Sequence, residues 1–556
     1  QAISQKNNAY EFFVPTAQRL DDVHLGSKDI LFEINANKSD SQSVYVLSAI
    51  GILILLLAAV NFVNLVTAKS TMRAKEVGVR KVVGAIKRQL VGQHLVESLV
   101  VTFISGLFAL ASTFGLIPVL NNIYQRYADP QILLQWNHFA SFVGIMVVVG
   151  LAAGLYPAFV LSSLRPGQVL KGDFKTSASG VLLRKSLVVL QFTISIALIV
   201  GTGIVYQQMQ YIYHADLGYS RDQVITIQQS GPAAANTQAF RTELLRNQDI
   251  VQVGTSSSQI GQQLGRTSVF PEGRNVDETN IIASVMSADE YFAEAMGMRM
   301  KEGRFFSRDF NDSLSMVINE EMARLLGWEE AVGREISLQS GPEPTDLTAY
   351  RVVGVVNDFH FATVRHKLEP MFMLYSNQNG SMAIKIKPVN AARTISHIEE
   401  TWKRVNPGRT FEYAFLDVQF ENLYKNEAAF ASMFSHFSIL AVVIAGLGLF
   451  ALSAYTAEQR RKEIGIRKVL GASSGSILIK LSGEFVRLIL LAFILASGVA
   501  YFVMDKWLSN FEYSIKIGAG IFAAAGILSL LIGLITVSFQ SLKAALTNPV
   551  NSLRSE

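Results

Sequence analysis

Seven stretches of about twenty apolar residues constrain this chain more than any other feature: 44–66, 96–119, 139–161, 187–209, 434–455, 488–507 and 517–538. Each is long enough to cross a hydrocarbon core of ~30 Å as an α-helix. None carries a charge at its centre, as expected when an ion at mid-bilayer costs ~3 kcal/mol or more. The basic residues fall between the spans in an alternating pattern. Lys69, Arg73, Lys75, Arg80, Lys81, Lys87 and Arg88 follow the first span. Arg165, Lys171, Lys175, Arg184 and Lys185 precede the fourth, and Arg460, Arg461, Lys462, Arg467, Lys468 and Lys480 follow the fifth. Arg126 stands alone between the second and third. Loops rich in lysine and arginine stay in the cytoplasm, and one orientation satisfies every loop. It puts residues 1–43 and 210–430 outside and the C-terminal tail inside.

The weak positive balance of +5 belongs to these flanking loops, which argues against nucleic acid as a partner. The absence of cysteine removes disulfides, thiolate metal sites and cysteine nucleophiles. An external segment ahead of the first span needs delivery by something upstream. The sequence therefore predicts a preceding span, eight in full, with residues 1–43 as the tail of a first external domain.

The chain is internally duplicated. Residues 73–85 read RAKEVGVRKVVGA and residues 460–472 read RRKEIGIRKVLGA; nine of the thirteen aligned positions are identical and three more exchange one branched aliphatic for another. Each copy follows a span, and each is followed at equal spacing by a glutamate, Glu97 or Glu484, expected to cap the positive N-terminus of the next helix. In the first copy Val79, Val82, Val83, Ile86 and Leu90 share one face of a helix. Ile466, Val469, Leu470 and Ile477 match most of that face, and Ser473 breaks it. Glu76 lies four residues before Arg80, and Glu463 four before Arg467, a favourable helical pairing. Gly84-Ala85 and Gly471-Ala472 are expected to bend the chain.

A basic helix resting on anionic lipid needs charge but not this residue order. Two matched docking surfaces for a two-fold symmetric partner explain the order better. The candidate docking residues are Arg73, Lys75, Glu76, Gly78, Arg80, Lys81 and Gly84 in the first copy. Their equivalents are Arg460, Lys462, Glu463, Gly465, Arg467, Lys468 and Gly471 in the second.

Residues 212–428 alternate strand-like and helix-like runs. VITIQ (224–228), a helix near 237–247 and a strand at 250–256 form one compact βαβ unit; MAIKIK (382–387), a helix at 391–404 and a strand at 411–415 form another. A strand-rich insert separates them. His360 and His366 have no common metal spacing, an Asp358–His360 dyad reads as an exposed loop pair, and Ser315 and Ser381 lack a nucleophile-elbow context. No catalytic, metal or cofactor-binding residue is assigned. No phosphate-binding loop of the form GxxxxGK[ST] occurs in these residues, so ATP hydrolysis is expected on a separate subunit.

The two RxKExGxRKVxGA segments, the Glu-bearing span openings and the NPVNSLR tail resemble the FtsX-like permease family. ARLLGWEEAVG and VVGVVNDFHF are similar to the periplasmic core domain of its MacB-like branch. The resemblance implies a polytopic α-helical membrane protein with an α+β extracytoplasmic domain of two βαβ units and a strand-rich insert. The expected boundaries are 1–43, tail of a first external domain; 44–163, first three-span permease unit; 164–186, linker; 187–209, single span; 210–430, periplasmic core; 431–540, second permease unit; 541–556, tail. It further implies an ABC transporter permease of the bacterial inner membrane, working by mechanotransmission with a dimeric nucleotide-binding ATPase, the lipid bilayer and a periplasmic or outer-membrane partner. A regulator that switches an external enzyme without transport is the alternative. A membrane-anchored enzyme fits the barren external domain poorly, and a secondary transporter would carry charged or broken spans near the midplane.

Overall fold

The computed structural model describes residues 18–20, 22–26, 41–72, 74–124, 128–163, 178–229, 236–262, 264–273, 281–341, 346–361, 363–364 and 367–546. The expected linker around 164–177 and the tail from 547 fall outside these residues. The chain divides into two compact units, which are treated in turn.

The first unit, residues 40–207, 429–507 and 516–556, is helical. Each expected span lies on a helix long and apolar enough to cross a membrane: α1 (Ser41–Met72), α3 (Lys87–Tyr124), α4 (Trp136–Ser163), α5 (Ala178–Tyr213), α11 (Lys425–Gln459), α13 (Ser474–Leu508) and α14 (Ala519–Leu546). Most helices overrun their apolar windows, because helical hydrogen bonding continues wherever side chains permit it. α5 is the most enclosed, with 67 % of its span buried. Its small polar side chains reach α11: Gln191 Nε2 donates to the Ile444 carbonyl at 3.2 Å, Ser195 Oγ to the Ala441 carbonyl at 3.3 Å, and the Thr202 and Ser438 hydroxyls lie 2.6 Å apart. Among apolar surroundings such bonds hold helices in register, since lipid offers no competing partner.

The first repeat packs through small residues. Gly150 and Gly154 of α4 form a GxxxG pair facing α3; a Cβ on Gly154 would lie 2.7 Å from Ser98 Oγ and 2.8 Å from its Cβ. Gly154→Leu is expected to force α3 and α4 apart at a cost of about 1–3 kcal/mol, seen as a lower melting temperature of the full chain in detergent.

The second unit, which contains residues 208–428 and 508–515, holds the α+β domain. Its strands are β1 (Val224–Gln228), β2 (Ile250–Ser256), β3 (Gly265–Pro271), β4 (Ile281–Ala288), β5 (Met300–Gly303), β6 (Ser315–Asn319), β7 (Glu335–Gln339), β8 (Leu347–Val356), β9 (Met371–Tyr375), β10 (Ser381–Ile386) and β11 (Tyr413–Phe415). The expected βαβ units are present as β1–α6 (Thr237–Leu244)–β2 and β10–α9 (Ala391–Val405)–β11. They are not compact in themselves, and this corrects the sequence reading. The sheet order is β11-β1-β10-β2, so β10 lies between the two strands of the first unit and pairs antiparallel with both. The units interlock in a ferredoxin-like arrangement. Alternation decides the faces: Ile225, Ile227, Val253, Met382, Ile384 and Ile386 pack under the helices with Phe240, Leu244, Ile398 and Trp402. Val224 and Ala383 face the opposite way, into a core shared with Met286, Phe292, Phe306 and Phe359.

The insert closes on itself. β4 pairs with β3, β3 with β7, β7 with β8, β8 with β6, β6 with β9, and β9 with β4. This six-stranded ring encloses Val269, Met316, Ile318, Ile336, Val352 and Phe372, with Met322 and Leu326 of α8 (Glu320–Leu326) in the same core. Closure removes free strand edges.

The loop between the sixth and seventh spans belongs to this second unit. The fully buried Gln208 donates from Nε2 to the Tyr513 carbonyl at 2.9 Å and accepts the Ile515 N–H at 2.9 Å.

Candidate functional site

The repeated segments form matching local structures. After α1 the chain makes the short helix α2 (Ala74–Val82), and after α11 it makes α12 (Arg461–Val469). Both end in the same way. Gly84 takes φ +105° and Gly471 takes φ +90°, a region that disfavours side chains. The Ala85 N–H reaches the Arg80 carbonyl at 2.9 Å and the Gly84 N–H the Lys81 carbonyl at 3.1 Å. Ala472 and Gly471 make the equivalent bonds to Arg467 and Lys468 at 2.9 and 3.1 Å. This is the Schellman arrangement, and it explains why glycine stands at that position in both copies.

Side chains on the two helices are matched as well. Arg80 pairs with Glu76 at 2.7 Å and Arg467 with Glu463 at 2.6 Å, as the spacing predicts. These exposed pairs are worth about 0.3–0.5 kcal/mol each and serve mainly to order the guanidinium groups. Arg80 also donates to Gln93 Oε1 at 2.6 Å. Partial burial, with Lys87 nearby, pulls Lys81 below the ordinary lysine range. Lys75, Gly78, Lys462, Gly465 and Lys468 lie within the helices, and Arg73 lies outside the described residues.

The apolar face that the sequence predicts is mostly turned outward. Val79, Val82, Val83 and Ile86 are exposed, and Leu90 alone of that set is buried. The short helix is instead anchored by Val77, whose counterpart Ile464 is buried against Ile477 and Leu481. Burying one such side chain contributes about 1.5–3 kcal/mol. Sequence periodicity identified an apolar stripe but not which stripe faces inward. What remains outward is matched between the copies: Val83 is 82 % exposed and its equivalent Leu470 80 %, with Val79/Ile466 and Val82/Val469 likewise exposed. Exposed aliphatic residues repeated in register beside ordered cations are suited to a protein partner.

The glutamates also differ from the expectation. α3 begins at Lys87 and α13 at Ser474, so Glu97 and Glu484 sit about three turns inside their helices. The N-terminal partial charge fades within the first turn, and neither residue is a cap. Glu484 accepts from Lys185 of α5 at 2.7 Å and from Arg460 at 3.0 Å. It thereby ties the second repeated segment to the start of α5. Lys185 and Glu484 lie far apart in sequence, and nothing in the repeat pairs them. Glu97 accepts from Gln93 at 3.2 Å.

The extracytoplasmic candidates for chemistry are engaged otherwise. Asp358 Oδ1 accepts from the Asn319 amide at 3.0 Å and the Glu321 N–H at 2.9 Å, which holds the first turn of α8. Ser315 Oγ donates to Asp312 at 2.7 Å. His366 lies outside the described residues, and among those described no group of three or more His, Asp or Glu is placed to hold a metal. The His360 ring stands edge-on to Tyr513 with centroids 5.1 Å apart, and burial pushes its pKa down although Asp216 opposes the shift. The fold thus favours the neutral ring. Stability is fully present above the ordinary histidine value of ~6.5 and declines as pH falls from there through the folded value. The melting temperature of the full chain is expected to fall over that window, and His360→Phe to flatten the profile.

Comparison with known proteins agrees with this architecture. The family model described as FtsX-like permease C-terminal matches residues 48–166 and again 435–549, and the MacB-like periplasmic core domain matches 186–399. A macrolide export ATP-binding/permease protein MacB from Chromobacterium violaceum is 25 % identical over 299 residues, covering 51 % of this chain and 44 % of that protein. An uncharacterized ABC transporter permease, YknZ of Bacillus subtilis, is 29 % identical over 117 residues, 21 % of this chain and 28 % of that one. The chain spans less than half the length of these curated relatives. Among solved structures, the extracellular domain of a noncanonic ABC-type transporter YknZ from Gram-positive bacteria aligns with 34 % of this chain and 96 % of its own, at 13 % identity and a TM-score of 0.24.

Proposed function

We propose, on the premise that the chain belongs to the FtsX-like permeases that carry a MacB-like periplasmic core domain, that it is the membrane subunit of an ABC-type export complex working by mechanotransmission. The observation that carries this reading is the pair of matched short helices, α2 and α12, each with exposed aliphatic residues and an ordered arginine in register. A nucleotide-binding dimer has two equivalent surfaces, and two equivalent faces on one chain suit it.

The lysine and arginine distribution puts these helices on the cytoplasmic side and the α+β domain outside. ATP is hydrolysed by a nucleotide-binding subunit distinct from these residues, which hold no phosphate-binding loop. Closure of that dimer moves α2 and α12. The second movement passes through Arg460 and Glu484 to Lys185 on α5. α5 continues to Tyr213, and β1 of the α+β domain follows at Val224. The cargo or target is engaged outside the membrane, and the spans carry the motion.

The test is purification of the full chain from its native membrane with its nucleotide-binding partner, followed by ATPase measurement on the complex and on each component. The expected result is hydrolysis by the partner, modulated by the chain. Hydrolysis by the chain alone, or a partner whose activity is indifferent to the chain, overturns the reading.

A further inference from the structure

The last residues of α5, 208–213, and the first of α11, 425–428, belong to the second unit together with everything between them. Arg221 donates to the carbonyl of Tyr213, the last residue of α5, where the helix dipole favours a cation. Its guanidinium lies 4.6 Å from the centre of the Phe420 ring on α10 (Leu416–Leu423), the helix that leads into α11. The rings of Tyr213 and Tyr424 meet edge-on with centroids 6.4 Å apart. These contacts hold the end of α5 to the start of α11.

The same place holds a stretch of the insert, residues 357–361 and 363–364, between β8 and β9. The Leu217 carbonyl accepts the His360 N–H at 2.9 Å, and the fully buried Tyr424 accepts the Val364 N–H at its hydroxyl at 2.6 Å. Gly218 takes φ +77°, and a Cβ there would overlap the Asp358 carbonyl oxygen, so glycine lets the two backbones approach. A second attachment of the insert lies elsewhere. β2 and β4 share one residue pair, Ser256–Ala288, beside the Arg241–Asp289 ion pair, a narrow join suited to a pivot. In the order β11-β1-β10-β2 this join is at the β2 edge, opposite β11. The core shared by insert and interlocked sheet contains Met286, Met296, Met371 and Met373, flexible side chains that adapt when a core shifts.

We propose that Arg221 and Tyr424 are positioning residues of a clamp that passes displacement of the ends of α5 and α11 to residues 357–364, so that the insert turns about the β2–β4 join during the ATPase cycle. This rests on the proposed function and deepens it, naming the part of the extracytoplasmic domain that responds. The insert is held at two separated places, and displacing the first against the second turns it. Hydrogen bonds and packed rings are the physical links that can carry such a displacement.

No cysteine occurs in these residues, so a label pair enters cleanly. Glu400→Cys on α9 and Glu330→Cys in the insert are both at exposed positions. The full chain in nanodiscs, with the P-loop ATPase that copurifies with it, is spin-labelled, and the interlabel distance is measured without nucleotide and with ATP and vanadate. The unaltered clamp is expected to show a shift on trapping. Tyr424→Phe removes one hydroxyl and Arg221→Met removes the cation. Each is expected to reduce the shift and the double variant to lose it, with the nucleotide-free distance unchanged and the ATPase still bound. Arg221→Lys keeps the cation and is expected to retain more of the shift than Arg221→Met does. A distance that stays constant with the clamp intact, while the chain still modulates the ATPase, overturns the clamp and leaves the proposed function standing. So does a double variant that shifts as far as the unaltered clamp. A changed nucleotide-free distance in Tyr424→Phe assigns the hydroxyl to folding alone and also overturns it. An ATPase indifferent to the chain is a different outcome: it removes the proposed function, and the clamp with it.

Discussion

Exchanging both Arg80 and Arg467 for glutamate is expected to abolish capture of the nucleotide-binding subunit by the full chain. Each arginine is ordered by a glutamate four residues earlier and borders exposed aliphatic side chains. Truncating one partner of a desolvated charge pair at an interface costs about 2–5 kcal/mol, and two reversals together remove at least a thousandfold in affinity. The folding penalty is much smaller. Each reversal replaces a favourable i,i+4 pair by a like-charge pair, a change of about 0.5–1 kcal/mol on a helix also anchored by Val77 or Ile464. Loss of capture with an unchanged melting profile therefore locates the effect at the docking surface. The lysine pair, Arg80→Lys with Arg467→Lys, retains the charge and is expected to bind with intermediate strength. A complex that survives the double reversal shows that the ATPase engages the chain elsewhere.

Asp289→Ala is expected to cost the extracytoplasmic domain about 3–5 kcal/mol, a large share of the 5–15 kcal/mol that holds a typical domain folded. Asp289 follows β4 of the closed insert, and its carboxylate pairs with Arg241 on α6 of the interlocked βαβ units. Both side chains are more than nine-tenths buried. Thr255 Oγ1 donates to the same carboxylate at 2.8 Å and the Tyr291 N–H at 3.1 Å. Arg241 Nε donates to the Val253 carbonyl at 3.0 Å, and its guanidinium lies 4.5 Å from the centre of the Tyr291 ring. Apart from this cluster, β2 and β4 share the single residue pair Ser256–Ala288. Alanine at 289 leaves a buried guanidinium without its anion, at the join between the two subdomains. The double variant Arg241→Leu/Asp289→Leu is expected to be milder than Asp289→Ala, since removing both charges removes the desolvation penalty as well. Urea titration of the full chain, followed by proteolysis between β2 and β4, reads both. A loss below 1 kcal/mol for the single variant, or a double variant worse than the single, refutes this role of the Arg241–Asp289 pair.

The spans were legible because a bilayer admits few solutions: apolar windows of the right length are helices, and all seven windows lie on such helices. The two matched short helices were legible as a duplication, and the Glu76–Arg80 and Glu463–Arg467 pairs followed from spacing alone. The pattern did not fix direction. An amphipathic pattern locates a stripe, but Val79 and Val83 face solvent while Val77 is buried, because the neighbouring helices decide which stripe has something to pack against. Glu97 and Glu484 were misread for a related reason. The helices begin at Lys87 and Ser474, well ahead of their apolar windows, so hydropathy does not locate their starts.

Local and periodic information in the sequence by itself determined the class of the protein. It set the seven apolar spans found among the described residues, the repeat, and the existence of two βαβ units and of a strand-rich insert. Only the tertiary structure decided how distant pieces close on one another. It placed β10 between β1 and β2, closed the insert into a ring through the parallel pairing of β4 with β9, joined Asp289 to Arg241, and brought Lys185 to Glu484. The physical reason is that strand partners and buried ion pairs are chosen by competition among all available edges and charges in three dimensions. Helix formation and membrane insertion are settled within a few turns of chain.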